Sequence, residues 1–253
     1  MLQDRRNQIV DMITKQRTIK NTQLMDEFGI SIETVRRDLE YLEQQGILRR
    51  VYGGAVLNTT MGGEPEYASR AQDHADEKSA IAAAAAAMIS PRDSVFLGVG
   101  TTVQAMVPFM QNLSEVTVFT NALRTAVALS DYPGCSVILP GGQLRAKELT
   151  LSEFPSEECI SNFNIDKAFI GTGGLTEAGI TDYHIGEARL HRQLIKNARQ
   201  SIALVDSSKF GNRAMTNLCT LEEIDVVITD SNAPKQLVAA LRQAGVQVII
   251  AQL

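Results

Sequence analysis

Between residues 94 and 251 the chain alternates short β-rich runs with helical patterns, and this alternation restricts the fold more than any other feature. Seven runs read as strands: 94–97, 116–120, 136–139, 168–170, 201–206, 225–229 and 246–251. Helical patterns fall between most of them, at 103–110, 121–129, 157–161, 185–197 and 234–244, and one precedes them at 77–89. A strand followed by a helix cannot fold back as a hairpin. It returns through a crossover, and the next strand runs parallel. The expectation is an α/β domain, a mostly parallel sheet covered by helices.

The first 57 residues follow another pattern. Ile9, Met12 and Ile13 share one face of a helix over 4–15, and Thr18-Ile19-Lys20 is extended. Asn21 suits the N-cap of a helix over 22–28, which Gly29 stops. Ser31 then caps a third helix over 32–45, and Gly46 suits its left-handed end. A hairpin follows: 47–52, a Gly53-Gly54 turn, then 55–57. This is a winged helix-turn-helix over 1–57. The polar, glycine-bearing stretch 58–65 reads as a linker, which leaves 66–253 for the α/β domain.

The third helix has the face of a DNA reader. At about 100° per residue, Ile32, Val35, Leu39 and Leu42 gather in one stripe. Arg37 falls almost opposite, beside Thr34 and Tyr41, with Arg36 on the flank. Such a helix seats its apolar stripe and offers polar residues to the major groove. Arg37 has the reach to read guanine O6 and N7, Arg36 suits a phosphate, and Ser31 suits both cap and backbone contact. Arg49 and Arg50 lead into the hairpin tip, as a wing along the phosphates requires.

Net charge is −5, yet the sign is not uniform. Residues 1–57 hold nine Lys/Arg against eight Asp/Glu, and the remainder is acidic. The asymmetry is mild support for duplex DNA, which the reading helix and the wing make the expected partner of the first segment. The apolar stretch at 80–89 is too short to span a bilayer, and residues 1–9 lack the apolar core of a signal peptide. Cys135, Cys159 and Cys219 form no C-x-x-C pair, and with His74, His184 and His191 they make no metal motif. The expectation is a cytoplasmic chain with reduced thiols, no metal and no cofactor.

The run Ser31-Ile32-Glu33-Thr34-Val35-Arg36-Arg37-Asp38-Leu39, then Leu42-Glu43-Gln44-Gln45-Gly46, then Arg50-Val51-Tyr52-Gly53-Gly54-Ala55, resembles the N-terminal signature of the DeoR family of bacterial sugar-responsive regulators. The resemblance extends to the C-terminus. It implies a repressor that binds its operator as a homodimer or tetramer and releases it when a phosphorylated sugar or sugar alcohol binds.

In an open α/β sheet, ligands bind beyond the carboxyl ends of the strands. Those ends carry Gly98-Val99-Gly100-Thr101-Thr102, Thr120-Asn121, Gly141-Gly142, Gly171-Thr172-Gly173-Gly174 and Asp206-Ser207-Ser208-Lys209-Phe210-Gly211. Gly100, Thr101 and Thr102 open a helix and suit an anion. Lys209 suits a phosphate or hydroxyl, and Asp206 and Glu187 suit sugar hydroxyls. The DeoR pattern holds a G-T-T loop, a T-N pair, a G-G pair, an E-A pair (Glu187-Ala188) and a D-x-S-K-F-G block, all matched here. Two departures stand out. The pattern has Asp where this chain has Gly98, and a glycine-bearing segment where it has Leu149-Thr150-Leu151-Ser152-Glu153-Phe154.

Two rivals remain at this point. The α/β half is similar in layout to ribose-5-phosphate isomerase, whose corresponding strand end carries a G-A-D-E acidic pair; Gly171-Thr172-Gly173-Gly174 has no acid, so the main base is missing. A ligand-free interaction module would leave the polar strand ends without a use. The expectation is a regulator, not an enzyme.

Overall fold

The computed structural model describes residues 2–16, 18–44, 47–57, 64–153 and 155–253. Most of the linker expected at 58–65 lies outside these residues, as do Gln45, Gly46 and Phe154. The chain forms two compact units, Met1–Pro65 and Glu66–Leu253.

In the first unit, α1 (Leu2–Gln16) leads into β1 (Thr18–Lys20), α2 (Asn21–Phe28), α3 (Ile32–Gln44), β2 (Leu48–Val51) and β3 (Gly54–Leu57). One core joins them: Ile9 and Ile13 of α1, Ile19 of β1, Leu24 of α2, Val35, Leu39 and Leu42 of α3, and Leu48 and Ala55 of the hairpin. Gly29 is left-handed at φ +60, and its N–H closes α2 on the Met25 carbonyl. Ser31 Oγ accepts the Thr34 N–H at 3.4 Å, the N-cap bond its sequence position calls for.

Asn21 is not a cap. The extended Lys20 precedes the helix, α2 begins at Asn21, and the Asn21 N–H donates to Gly53 O at 2.9 Å. The hairpin turn is also one residue earlier than expected, at Tyr52-Gly53. Gly54 already pairs with Lys20 in the sheet β1-β3-β2. A Cβ on Gly54 would lie 2.1 Å from the Ile19 carbonyl oxygen, so only glycine permits this approach.

The second unit is built on seven strands, all parallel: β4 (Ser94–Leu97), β5 (Val116–Thr120), β6 (Cys135–Ile138), β9 (Ile165–Ile170), β12 (Ala198–Leu204), β14 (Val226–Asp230) and β15 (Gln247–Ala251). Their order is β15-β14-β12-β9-β4-β5-β6. Alternate residues feed opposite faces. Val95, Leu97 and Val118 pack with Ile81, Ala82 and Ala85 of α5 (Ala75–Ala86). Phe96, Phe119 and Ala168 pack with Leu190 and Leu194 of α9 (Ile185–Asn197) and with Ile160 of α8 (Ser156–Ser161). Further along the sheet, Ala203, Val205 and Val227 meet Val238 and Leu241 of α10 (Lys235–Gln243). Both faces are apolar, as a parallel sheet under helices requires.

Several elements depart from the sequence reading. The helix expected over 103–110 is a single turn, α6 (Thr101–Gln104), followed by a 3₁₀ turn, Val107–Met110. Pro108 has no N–H to return to Gln104, so the α-helical ladder cannot continue. A short helix, α4 (Tyr67–Gln72), opens the unit. α7 (Leu123–Leu129) starts after Asn121, not at it. Five short strands were not expected. β7 (Gln143–Arg145) pairs antiparallel with β8 (Thr150–Ser152), and β10 (Gly174–Thr176), β11 (Gly179–Asp182) and β13 (Thr216–Cys219) form a small second sheet.

The path of the chain gives a candidate position for the site. It lays β4, β5 and β6 outward in one direction, then returns to place β9 on the other side of β4 and builds β12, β14 and β15 outward from there. The order reverses between β4 and β9, and the carboxyl ends beside such a reversal are where open α/β sheets bind ligands.

Candidate DNA-reading head and effector crevice

On α3, Arg36 and Arg37 are exposed and unencumbered by core packing, while Ser31 and Thr34 sit at the helix start. A groove runs between α3 and the hairpin, lined by Arg36, Leu39, Glu43, Arg50, Val51 and Tyr52, with Asn21 at its base. Arg50 is held on that groove. Its Nε donates to Glu43 Oε2 at 2.6 Å and its backbone N–H to Glu43 Oε1 at 2.8 Å. The bond to Glu43 holds the guanidinium above its usual range. The Arg49 backbone pairs with Val56, and its side chain lies outside the described residues.

Tyr41 and Tyr52 differ sharply. The Tyr41 ring lies under the Arg6 guanidinium, 3.8 Å from its centroid, and is half-buried. Tyr52, at the hairpin tip, is 107% exposed. The arginine pair Arg5-Arg6 is structural. Their Nε atoms bind the two oxygens of Asp38 at 2.7 and 2.9 Å, and Asp38 is 1% exposed. Nothing in the local sequence ties Asp38 to residues more than thirty positions away.

At this carboxyl edge the loops after β4 and β9 touch. A Cβ on Gly171 would lie 2.5 Å from the Val99 carbonyl oxygen, and Gly100 sits at φ +128 against the Gly171 Cα. Thr101 and Thr102 are buried at the start of α6. With one α-turn behind it, the loop offers its own N–H groups more than a helix dipole. The missing side chain at Gly98 also has a physical reason: a Cβ there would lie 2.9 Å from Nε2 of the buried His191.

The other strand ends divide by what their polar atoms already do. Thr120 Oγ1 donates to Leu97 O at 2.7 Å and accepts the Ala122 N–H, so it ties β5 to β4. Asn121 donates Nδ2 to Leu151 O, holding the β7–β8 hairpin over the edge, while its Oδ1 is buried without a partner among the described residues. Gly142 is pressed against Ser156 and Ser152, and Ser156 Oγ donates to Gly141 O, so the pair shapes a tight turn. Glu187 is 2% exposed, and its Oε1 accepts from Thr150 at 2.6 Å and Arg145 at 3.0 Å. Asp206 Oδ1 accepts from Ser208, and its buried Oδ2 has no partner among the described residues; the same holds for Thr172 Oγ1.

One cation at this edge escaped the sequence reading. Lys78 of α5 is 4% exposed and lies within range of the charges of Asp206 and Lys209. Burial pushes its ammonium below the usual range, and Asp206 partly offsets this. Its Nζ donates to the carbonyls of Arg70 and Asp73 at the end of α4. Arg70 in turn binds the buried Glu148. Only the folded sheet brings α5 to the end of β12, so no spacing could have shown this. Among the described residues no group of His, Cys, Asp and Glu could hold a metal ion.

Comparison with known proteins settles the family. The DeoR-like helix-turn-helix domain matches residues 5–61, and the DeoR C terminal sensor domain matches residues 73–231. The chain belongs to the DeoR family. It is 34% identical over 250 residues to the HTH-type transcriptional regulator GolR of Listeria innocua, covering 98% of each chain. It is 32% identical to a putative aga operon transcriptional repressor of Escherichia coli O157:H7, covering 98% of this chain and 93% of the relative. It is 31% identical to the glycerol-3-phosphate regulon repressor of Escherichia coli K12, covering 96% of each. A solved ribose 5-phosphate isomerase A from Methanocaldococcus jannaschii aligns over 55% of each chain at TM-score 0.40 and 18% identity, too weak a likeness to bear on function. Within the DeoR family, the first unit is the helix-turn-helix and the second is the sensor domain. Among the described residues no helix is long and apolar enough to cross a membrane.

Proposed function

We propose that this DeoR-family chain represses a carbohydrate-utilisation operon and leaves its operator when a phosphorylated sugar or sugar alcohol enters the crevice between β4 and β9. One observation carries the reading. The buried Lys78 feels the charges of Asp206 and Lys209 at the carboxyl edge, where buried acceptor oxygens of Asp206 and Asn121 have no partner among the described residues. A ligand with an anionic end and several hydroxyls satisfies both sets. The Gly100-Thr101-Thr102 loop with Lys209 takes the phosphate. Asp206 takes a hydroxyl. Glu187, already engaged by Arg145 and Thr150, holds the hairpin over the ligand. Thr120, Gly141, Gly142 and Gly171 shape the crevice through backbone.

Lys78 offers the route from ligand to response. Its ammonium clamps the last carbonyls of α4, the first helix after the linker. A phosphate beside Lys78 competes for the same donors and loosens α4. The ligand then favours the arrangement in which two heads no longer fit their half-sites. The pair of heads comes from a homodimer or tetramer assembled through the sensor domain. The absence of acid at 171–174 and the engaged Glu187 support binding over catalysis.

Calorimetry on the full chain tests the ligand class. Glycerol 3-phosphate, fructose 1-phosphate and glucosamine 6-phosphate are compared with their unphosphorylated parents. The proposal expects binding of a phosphate and at least a tenfold loss without it, about 1.4 kcal/mol. Equal affinity for a sugar and its phosphate overturns the placement of the anion.

A further inference from the structure

α9 carries a buried polar group that the fold leaves idle. His191 is 1% exposed, and neither ring nitrogen has a hydrogen-bond partner among the described residues. Buried polar groups are nearly always partnered, and an apolar side chain of similar size would fill the place without that cost. One side of the ring has a suitable neighbour. Nδ1 lies 3.4 Å from Asp182 Oδ2, and the other oxygen of that carboxylate accepts the Tyr183 N–H at 2.7 Å. A carboxylate beside Nδ1 favours the tautomer with its proton there, which leaves a lone pair on Nε2.

Nε2 is directed at the end of β4. It is the ring atom nearest to where a Cβ on Gly98 would stand, 2.9 Å away against 3.5 Å for Cε1. The DeoR pattern has Asp at this position, and here the imidazole takes the volume that such a side chain would need. Gly98 still bonds β9 through its N–H on Phe169 O, and Gly100 follows two residues later. Two residues of chain span at most about 7 Å. An unused acceptor and the Gly100-Thr101-Thr102 loop are therefore within reach of one small ligand. Glu187, one turn earlier on the same face of α9, meets the β7–β8 hairpin at this edge through Thr150 and Arg145.

We propose that His191 determines effector specificity in this chain: its Nε2 accepts a hydrogen bond from a hydroxyl that the ligand carries close to its phosphate. Asp182 is the positioning residue that keeps the ring proton on Nδ1. The ligand class is a phosphate ester of a neutral polyhydroxy compound, because a sugar acid would set its carboxylate against the Nε2 lone pair. This rests on the sugar-phosphate reading of the carboxyl edge.

The chain has three histidines, so NMR of the full chain with isotope-labelled histidine resolves each imidazole. His74→Gln and His184→Gln assign the signals by difference. Without ligand, His191 should carry a proton on Nδ1 and none on Nε2. Glycerol 3-phosphate, fructose 1-phosphate and glucosamine 6-phosphate are each titrated in, with inorganic phosphate as the control for the anion alone. Saturation with an ester that binds should move the Nε2 resonance to lower nitrogen shift, as an accepted hydrogen bond does, and inorganic phosphate should not. His191→Leu should weaken that ester about tenfold, leave inorganic phosphate unaffected and melt no lower than the parent. His191→Gln, whose side-chain oxygen reaches the Nε2 position, should recover most of the affinity. An Nε2 resonance unmoved at saturation, a second ring proton in the complex, or parental ester affinity in His191→Leu overturns the proposal. Equal losses for ester and inorganic phosphate also overturn it, in favour of a role in holding the loop. Failure of every ester to bind the parent overturns the sugar-phosphate reading itself, a different result from any of these.

Discussion

Arg37 and Arg50 do different jobs, and their loss should be distinguishable. Arg37 faces away from the core stripe of α3, so Arg37→Ala should cost about 1–3 kcal/mol on specific DNA and relax its sequence preference. Arg50 is expected on a phosphate. Arg50→Ala should weaken specific and random duplexes alike and reduce the salt slope by about one. The structure adds a third variant. Glu43 holds Arg50 by two bonds in the free head, and a phosphate must compete with it. Glu43→Gln should therefore tighten binding at low salt, and anisotropy at two salt concentrations checks all three. At this scale, what the sequence revealed depended on periodicity. The stripe of Val35, Leu39 and Leu42 fixed where Arg37 points, because one helix carries all of them. Asp38 was invisible as the anchor of Arg5 and Arg6, because that contact needs α1 folded across α3. Lys78 was invisible for the same reason.

Among elements, the hairpin and the seven strands illustrate two kinds of legibility. The strands between helices announced themselves even at four residues, as in β4 and β6, because each must be apolar on both faces. The β7–β8 pair and the β10-β11-β13 sheet carry one or two apolar residues per strand, too few for an apolar run to register. The β1–β3 pairing has its tightest approach at Gly54. Gly54→Ala should break it and abolish DNA binding while leaving the sensor domain's melting transition in place, as calorimetric scans would show. The small sheet makes a pH prediction. Burial pushes the Cys219 thiol of β13 up to about 12, with the Glu223 carboxylate contributing. The unfolded thiol ionises near 8.5. A pKa raised by folding stabilises the native state fully below the unfolded value and ceases to do so as pH rises towards the folded one. The sensor domain should therefore lose up to about 1.4 kcal/mol per pH unit above roughly 8.5 from this group. Urea titrations of Cys219→Ala should show a shallower loss over the same range.

The whole molecule joins a small head that carries more cations than anions to an acidic sensor domain, the proposed receiver of the ligand. A single head makes few base contacts, so a pair is expected to act together on two half-sites. Light scattering of the full chain at micromolar concentration should return a dimer or tetramer. In the sequence, the change of pattern at 58–65 sets two parts as the expectation, and the polar strand ends make the carboxyl edge the proposed ligand site. The sequence did not show which of those ends are spent on the fold, as Thr120 and Gly142 are. The most direct test of the central claim is release. The full chain is bound to a fluorescent duplex from its own upstream region, and glycerol 3-phosphate, fructose 1-phosphate and glucosamine 6-phosphate are each titrated in while anisotropy is followed. The account predicts that one of these phosphates lowers the anisotropy to that of free DNA, that its unphosphorylated parent does not, and that Thr101→Ala with Lys209→Ala binds the duplex normally but no longer responds. Unchanged anisotropy with every phosphate, or an undiminished response in the double variant, would contradict it.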